Sequence, residues 1–242
     1  MLGVDSVGGR RRSTATFQDK VSTFAQAGPR IHALRKAGVN SVQMVRSAGT
    51  PAVMYGCEVM GLSDSALHLA RTRIASAAAA NAGGKNSDLV LHAIDGPAGT
   101  LDPAFEAHAA PVLFWATAVW CCWFTRLQLE KAFQHASLKL ATREETSCWS
   151  IVTGPATALL ASLRRIGWVM PNAFELIDNT GTSWQCDSVS PGAIASACHD
   201  SVRRWRLERI GAHLPGLIPV GCDVGAADCP EGTILLLSLI HI

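Results

Sequence analysis

Apolar residues recur every three or four positions along most of the chain, which is the spacing of amphipathic helices. In the first such stretch the apolar positions are Phe17, Val21, Phe24, Ile31 and Leu34. Gly28-Pro29 interrupts this stretch, and because proline removes a backbone donor we expect it to break or kink the helix. Gly38 is a suitable stop, since glycine accepts the left-handed conformation that often ends a helix.

Later helix starts are marked by a capping side chain, by a proline in the first turn, or by both. The predicted starts are Asn40, Thr50-Pro51, Ser63, Asp102-Pro103, Gly154-Pro155 and Ser190-Pro191. After Ser63, the inner stripe runs through Leu67, Ala70 and Ile74 and leaves Arg71 outside. The last helix has an apolar face that includes Val202. Its arginines, Arg206 among them, are expected at the solvent-exposed rim of that face.

Two stretches depart from this amphipathic pattern. Residues 109–124, AAPVLFWATAVWCCWF, are uncharged for 16 positions, whereas a membrane-spanning helix needs roughly 18–20. We therefore predict a buried core helix and no membrane contact. FELIDNTGTSWQCD alternates around a turn at Asn179-Thr180-Gly181, which predicts a small hairpin. The expected fold is mainly α, a multi-helix bundle with one short β-hairpin.

The charge is unevenly distributed, although the whole chain has a formal net charge of only +2. Residues 1–50 carry eight basic and two acidic side chains, whereas residues 51–110 carry three and six. Phosphate contacts are made by Arg and Lys at loose spacing, so the basic end is where a polyanion would bind. The candidate nucleic-acid-binding residues are Arg10, Arg11, Arg12, Lys20, Arg30, Arg35, Lys36 and Arg46. The alternative is a solvated helix face.

The side chains that often carry chemistry form no recognisable site. The eight cysteines include no Cys-x-x-Cys pair, and we interpret them as reduced, buried thiols of an intracellular protein. GGKNS (83–87) lacks the first glycine and the Ser or Thr of a phosphate loop. No catalytic residue, metal ligand or cofactor is assigned to this chain.

The stretch TPAVMYGCEVMGL (50–62) is similar to the segment after the palm of reverse transcriptases from non-LTR retrotransposons. Pro51, Tyr55, Gly56 and Glu58 match that family's pattern, and Met60 stands where the family often has Trp. MLGV at 1–4 resembles the Leu-Gly strand that closes the palm, and the family has a basic helical thumb between these two parts. The resemblance covers about residues 1–80 and extends more loosely through HAIDGPAGTLDPAFEAHAAPVLFWATAVW and SVRRWRLERIGAHLP.

This resemblance implies a role in binding rather than in catalysis. The family's Asp-Asp pair, which holds two metal ions, would lie upstream of Leu2, so the chain would be a fragment without the palm and fingers domains. Its partner would be an RNA or DNA template–primer duplex held through phosphates. Tyr55, Cys57 and Glu58 would be packing and capping residues. Charge reversal at Arg10–Arg12 and Arg35–Lys36 would abolish binding.

Three regions follow from this interpretation: a thumb-like basic region at 1–80, a helical connection region with the hairpin at 81–216, and a loop-like tail at 217–242. Residues 237–242, LSLIHI, match the translated end of a sequencing-library adapter, and we interpret them as an artefact.

One rival hypothesis is a helical protein-interaction scaffold without a nucleic-acid role. Another is a nuclease-like site at Asp178, which would need Glu175, Asp187 and Asp200 gathered around metal ions.

Overall fold

A computed structural model of the chain describes residues 13–80, 85–96, 100–143 and 145–213. The strand expected at 1–4, the helix stop at Gly83-Gly84, and the tail with its adapter-like end lie outside the described residues. The α-helices are Ala15–Lys36 (α1), Ser41–Met44 (α2), Thr50–Met54 (α3), Cys57–Met60 (α4), Asp64–Ala78 (α5), Ser87–Asp95 (α6), Pro103–Trp120 (α7), Arg126–Ala141 (α8), Pro155–Arg165 (α9) and Pro191–His213 (α10). The mainly α fold is confirmed.

Helix α7 lies at the centre of the structure and packs against α10, α9, α4 and α5. It contains residues 109–120 of the apolar run that was predicted as a buried helix, and most of its side chains are buried. Residues 121–124 of that run lie beyond the end of the helix and are exposed, contrary to the prediction. Asp102 caps it by accepting from the backbone N–H of Ala104, as expected. Among the described helices, none combines the length and the apolar character needed to cross a membrane.

A three-stranded antiparallel sheet lies between α9 and α10, in the order β1 (Val169–Asn172), β2 (Glu175–Ile177) and β3 (Ser183–Gln185). Strands β2 and β3 are the predicted hairpin, paired with Leu176 opposite Trp184. Strand β1, which the sequence pattern did not predict, joins β2 with an irregular register. The sheet is pinned to α7 where Trp115 Nε1 donates to the carbonyl of Ala173 over 2.9 Å.

One contiguous core joins residues from both the 1–80 and the 81–216 regions. It includes Val21 and Ile31 of α1, the stripe Leu67, Ala70 and Ile74 of α5, and residues of α7, α9, the sheet and α10. A satellite cluster lies under the 3₁₀ helix Glu145–Ile151, where Leu140 packs with Trp149 and Val152. The basic N-terminal helix is therefore anchored on the same core as the rest.

Proline does not break α1, contrary to the expectation from Gly28-Pro29. The helix runs through Pro29 to Lys36. Gly28 has no Cβ to collide with the proline ring, which removes part of the steric conflict at the residue before proline. Ile31, beyond the proline, is buried in the core, so tertiary packing holds the second half of the helix in place.

The predicted cap at Thr50 is also wrong. The chain is already helical before Thr50, because residues Val45–Gly49 form a π-helical turn that continues α2 into α3. Thr50 has helical dihedrals and its hydroxyl donates instead to the carbonyl of Leu101 over 3.0 Å. A π-turn re-registers the backbone hydrogen bonds, so it accommodates the missing N–H of Pro51 inside a helical stretch.

Several other local predictions are confirmed. Asn40 and Ser63 accept hydrogen bonds from backbone amides and cap α2 and α5. Gly38 takes a left-handed conformation after α1, and Gly61 follows the end of α4 with a positive φ of 56°. The thiols are only partly as predicted: Cys57, Cys148, Cys186 and Cys198 are buried, whereas Cys121 and Cys122 are exposed.

Candidate nucleic-acid interface

Helix α1 carries four of the predicted phosphate-binding residues, Lys20, Arg30, Arg35 and Lys36. Arg30 and Lys36 are exposed, while Lys20 and Arg35 are half-buried. With about 100° of rotation per residue, Arg30 and Lys36 leave the helix in directions about 120° apart. They therefore flank the outer surface of α1 on two sides instead of forming one line. Arg10, Arg11 and Arg12 lie outside the described residues.

Lys20 links α1 to the segment that carries the family resemblance. Its Nζ donates to the backbone carbonyl of Tyr55 over 2.6 Å and lies 5.0 Å from the centre of the Tyr55 ring. Tyr55 itself is 60% exposed. The pair places a cation and an aromatic ring side by side at the surface near the start of α1.

Arg35 makes a local contact within α1. Its Nη2 donates to Nδ1 of His32, one turn earlier, over 2.7 Å. Within the described part of the chain, neither Arg30 nor Lys36 forms an ion pair with a carboxylate. Between residues 13 and 57 the only acidic side chain is Asp19. The outer surface of α1 thus keeps its positive charge.

Arg46 differs from the other predicted cations because it is paired inside the protein. Its Nη2 lies 3.0 Å from Oδ1 of Asp95, a carboxylate with no exposed side-chain surface. The Arg46 side chain remains about one-third exposed, at 34%. A phosphate at this position would compete with Asp95 for the guanidinium.

The Tyr-Gly-Cys-Glu motif forms the turn between α3 and α4. Gly56 has a φ of 89°, a left-handed conformation that glycine adopts without a steric penalty. Cys57 is buried, and its thiol contacts the carbonyl of Glu106 on α7 over 3.6 Å. Burial, followed by the nearby charges of Glu106 and Glu58, raises the pKa of this thiol. A buried neutral thiol is a packing group and not a nucleophile.

A buried network of arginines and aspartates joins α5, α6, α7 and α10, although the helical pattern predicted its arginines at the surface. Arg71 was expected outside the stripe of α5 and Arg206 at the rim of α10, yet they are 1% and 2% exposed. Arg71 forms a fork with Asp102: its Nε and Nη2 donate to the two carboxylate oxygens over 2.9 and 2.8 Å. Its Nη1 pairs with Asp88.

Helix α10 completes this network from the opposite side. Arg206 places its Nε 3.0 Å from Oδ2 of Asp102 and its Nη1 3.9 Å from Asp95. Arg209 places its Nε 3.2 Å from Asp88. The carboxylates are spaced seven residues apart in the chain, at the start of α6, the end of α6 and the cap of α7. They bind α5, α6, α7 and α10 together.

The charges of this network compensate each other. Burial by itself raises the pKa of Asp102, but attraction by Arg71 and then by Arg206 outweighs burial and holds the pKa below its ordinary value. Asp88 follows the same pattern, with Arg71 as the main charge partner. Carboxylates that remain ionised against two guanidinium groups are structural counter-ions. The sequence signal that could have pointed to this network is the acidic excess of residues 51–110, because buried carboxylates need cationic partners.

The carboxylates of the nuclease hypothesis have separate local roles. Asp178 organises the hairpin turn: its Oδ1 accepts from the backbone N–H groups of Thr180 and Thr182 over 2.8 and 3.0 Å. Glu175 accepts from Ser183, and Asp187 pairs with Arg126. Across the residues that the structure describes, no three His, Cys, Asp or Glu side chains are grouped so as to hold a metal ion.

Comparison with known proteins adds no assignment. No family model, no curated protein and no solved structure shows significant similarity to this chain.

Proposed function

We propose that this chain binds nucleic acid through its phosphates, as the non-catalytic, thumb-like part of a reverse transcriptase of the non-LTR retrotransposon type. The observation that supports this proposal is a contrast between two sets of cations. The buried Arg71 and Arg206 are matched by aspartates, whereas Arg30 and Lys36 on α1 have no carboxylate partner in the described part of the chain.

The dimensions of α1 suit a duplex. Lys20 and Lys36 are sixteen residues apart in one helix, which corresponds to about 24 Å along the axis. With about 3.4 Å per base pair, this distance spans about seven base pairs of backbone. The helix is therefore long enough to reach several phosphates from either of the sides that carry its cations, and phosphate contacts carry no sequence preference.

The rigid support of α1 adds to the proposal. Val21 and Ile31 fix the helix to the main core, and Lys20 ties its start to Tyr55. A helix that is already formed and anchored loses little conformational entropy when it binds. The resemblance around Tyr55-Gly56 assigns the same helices to a duplex-gripping role.

Charge reversal of Arg30 and Lys36 tests the proposal. The double variant Arg30→Glu/Lys36→Glu should bind a short blunt-ended duplex at least tenfold more weakly, and its dependence of log K on log salt should be shallower by about two. Fluorescence anisotropy across a salt series measures both quantities.

The matched control reverses two exposed cations away from α1, Arg73→Glu/Lys85→Glu, and changes the net charge by the same amount. If the control weakens binding as much as the α1 variant, the effect is one of net charge and the proposed surface is wrong. If the wild-type chain shows no salt-dependent binding at all, the proposed function is wrong.

A further inference from the structure

Three aromatic side chains stand exposed at the end of α7 and in the loop that follows it. Trp120, Trp123 and Phe124 are 46%, 53% and 48% exposed. We refer to these three residues as the aromatic surface. Exposed apolar patches often mark interaction sites, which makes this surface a candidate for one. It is separate from the cations of α1.

Hydrogen bonds at both ends stabilise the loop that carries the aromatic surface. Helix α7 ends in a Schellman motif: the N–H of Trp123 donates to the carbonyl of Ala118 over 3.0 Å, and Cys122 takes the left-handed conformation with a φ of 52°. Thr125 and Gln128 form a capping box at the start of α8. The Trp123 ring stands edge-to-face against Phe114, with 5.8 Å between centroids.

A groove of about 320 Å³ adjoins this surface. Phe114 and Trp115 of α7, Phe124 of the loop, and His135 of α8 contribute rings to its lining. Thr153, at the far side, receives a hydrogen bond from Lys139 Nζ over 2.8 Å. The groove is therefore lined by aromatic rings and small apolar residues and has a cation beside it, and its volume falls at the lower end of the range for ligand pockets.

Helix α8, which begins directly after the aromatic surface, carries more cations than carboxylates. Arg126 at its start is paired with Asp187. Lys131 and Lys139 extend along α8, and the only carboxylate on that helix is Glu130. Aromatic rings interleaved with cations are the combination that binds single-stranded nucleic acid, because bases stack on the rings while the cations contact phosphates.

We infer that the aromatic surface binds unpaired nucleotides by base stacking, with the α8 cations contacting the adjacent phosphates. This inference rests on the proposed function and deepens it: α1 grips the duplex, and the aromatic surface receives the single strand that continues from it. Charge complementarity favours this occupant over an apolar protein segment, which would make no use of Lys131 and Lys139.

The test exchanges aromatic for aliphatic side chains in the full chain. Trp120→Leu/Trp123→Leu keeps apolar surface but removes the stacking faces. We expect it to bind an oligothymidylate of about 15 nucleotides about tenfold more weakly, and a blunt duplex with unchanged affinity. Leu138→Ala removes an exposed aliphatic side chain from α8 and should leave both affinities unchanged. Urea unfolding of each variant confirms that it is folded.

An abasic oligonucleotide of the same length separates stacking from phosphate binding. The wild-type chain should bind it as weakly as the variant binds the thymidylate. Full thymidylate affinity in the leucine variant, or equal wild-type affinity for the abasic strand, overturns the inference and leaves an apolar protein partner as the occupant. Loss of duplex binding in Arg30→Glu/Lys36→Glu bears on α1 alone, so the two proposals fail separately.

Discussion

The guanidinium of Arg71 forms a two-pronged ion pair with Asp102, the residue whose side chain also caps α7. One carboxylate thus satisfies a buried arginine of α5 and a backbone amide at the start of the central helix. The pair is 1% and 0% exposed, so neither charge has water as an alternative partner. The position of α5 against α7 depends on this contact.

Removing one partner of this network should destabilise the fold strongly. Arg71→Met leaves Asp102 and Asp88 with reduced compensation inside the protein, and we expect the free energy of unfolding to fall by about 3–5 kcal/mol. Arg73→Met, the same substitution at an exposed position of the same helix, should change it by less than about 0.5 kcal/mol. Urea unfolding followed by circular dichroism measures both; equal effects would contradict the role given to Arg71.

Mild acid should destabilise the protein through His108. Burial, followed by repulsion from Arg165, lowers the pKa of His108 to about 3, whereas a histidine in the unfolded chain has a pKa of about 6.5. Below that value the unfolded chain binds a proton that the native chain does not, so this contribution is complete above about pH 6.5 and decreases toward acid. The slope is at most about 1.4 kcal/mol per pH unit.

The geometry around His108 supports the neutral form. Its Nδ1 lies 2.5 Å from the carbonyl of Ala104 and its Nε2 faces Nη1 of Arg165. His108→Asn should flatten the dependence of unfolding free energy on pH between about pH 5 and 7. The same substitution at the exposed His135 serves as the control for the loss of one histidine. An unchanged slope in His108→Asn would refute the assignment.

Gly61 should not tolerate a side chain. Its φ is 56°, and a Cβ placed there would lie 2.8 Å from Cζ3 of Trp149. Gly61→Ala combines a left-handed backbone with overpacking, and we expect a loss of about 2–4 kcal/mol in unfolding free energy. At Gly192, in the first turn of α10, the added Cβ would meet no atom within 4 Å apart from its neighbours and the local helix backbone. Gly192→Ala should therefore stabilise the protein by about 0.5 kcal/mol, and thermal unfolding compares the two.

We expect the cysteines to differ in their rate of alkylation. Cys121 and Cys122 are exposed, whereas burial raises the pKa of Cys57 and Cys198, and that of Cys186 to about 12. Of the six cysteines that the structure describes, iodoacetamide at neutral pH should therefore modify Cys121 and Cys122 first, because the thiolate is the reacting form. Peptide mass spectrometry gives the order; early modification of Cys57 in folded protein would show that the α3–α4 turn opens.

The local pattern predicted much of the fold. The starts at Asn40, Ser63 and Asp102, the buried character of α7 and the hairpin around Asp178 follow from neighbours in the sequence, and the structure has them. Thr50 and Pro29 show where the pattern failed. A capping residue or a proline favours one local conformation. The π-turn at 45–49 overrides that preference at Thr50, and the burial of Ile31 overrides it at Pro29.

Only part of the candidate interface could be predicted from the sequence. The cations of α1 are visible as a charge excess in the first 50 residues, but that excess does not reveal that Arg46 is paired with Asp95. The aromatic surface was hidden inside an apolar run most of whose members within α7 are buried. The rings of WCCWF face water because α7 ends at Trp120 and α8 begins only at Arg126.

The sequence by itself determined the helices and the stripes that form the core, because those depend on periodicity and on neighbours within one helix. Only the tertiary structure decided that Arg71 and Arg206 belong inside. A guanidinium can be buried when carboxylates from other elements reach it, and Asp88 and Asp102 do so only once α5, α6, α7 and α10 are packed together. That condition joins residues more than one hundred positions apart, and no local pattern encodes it.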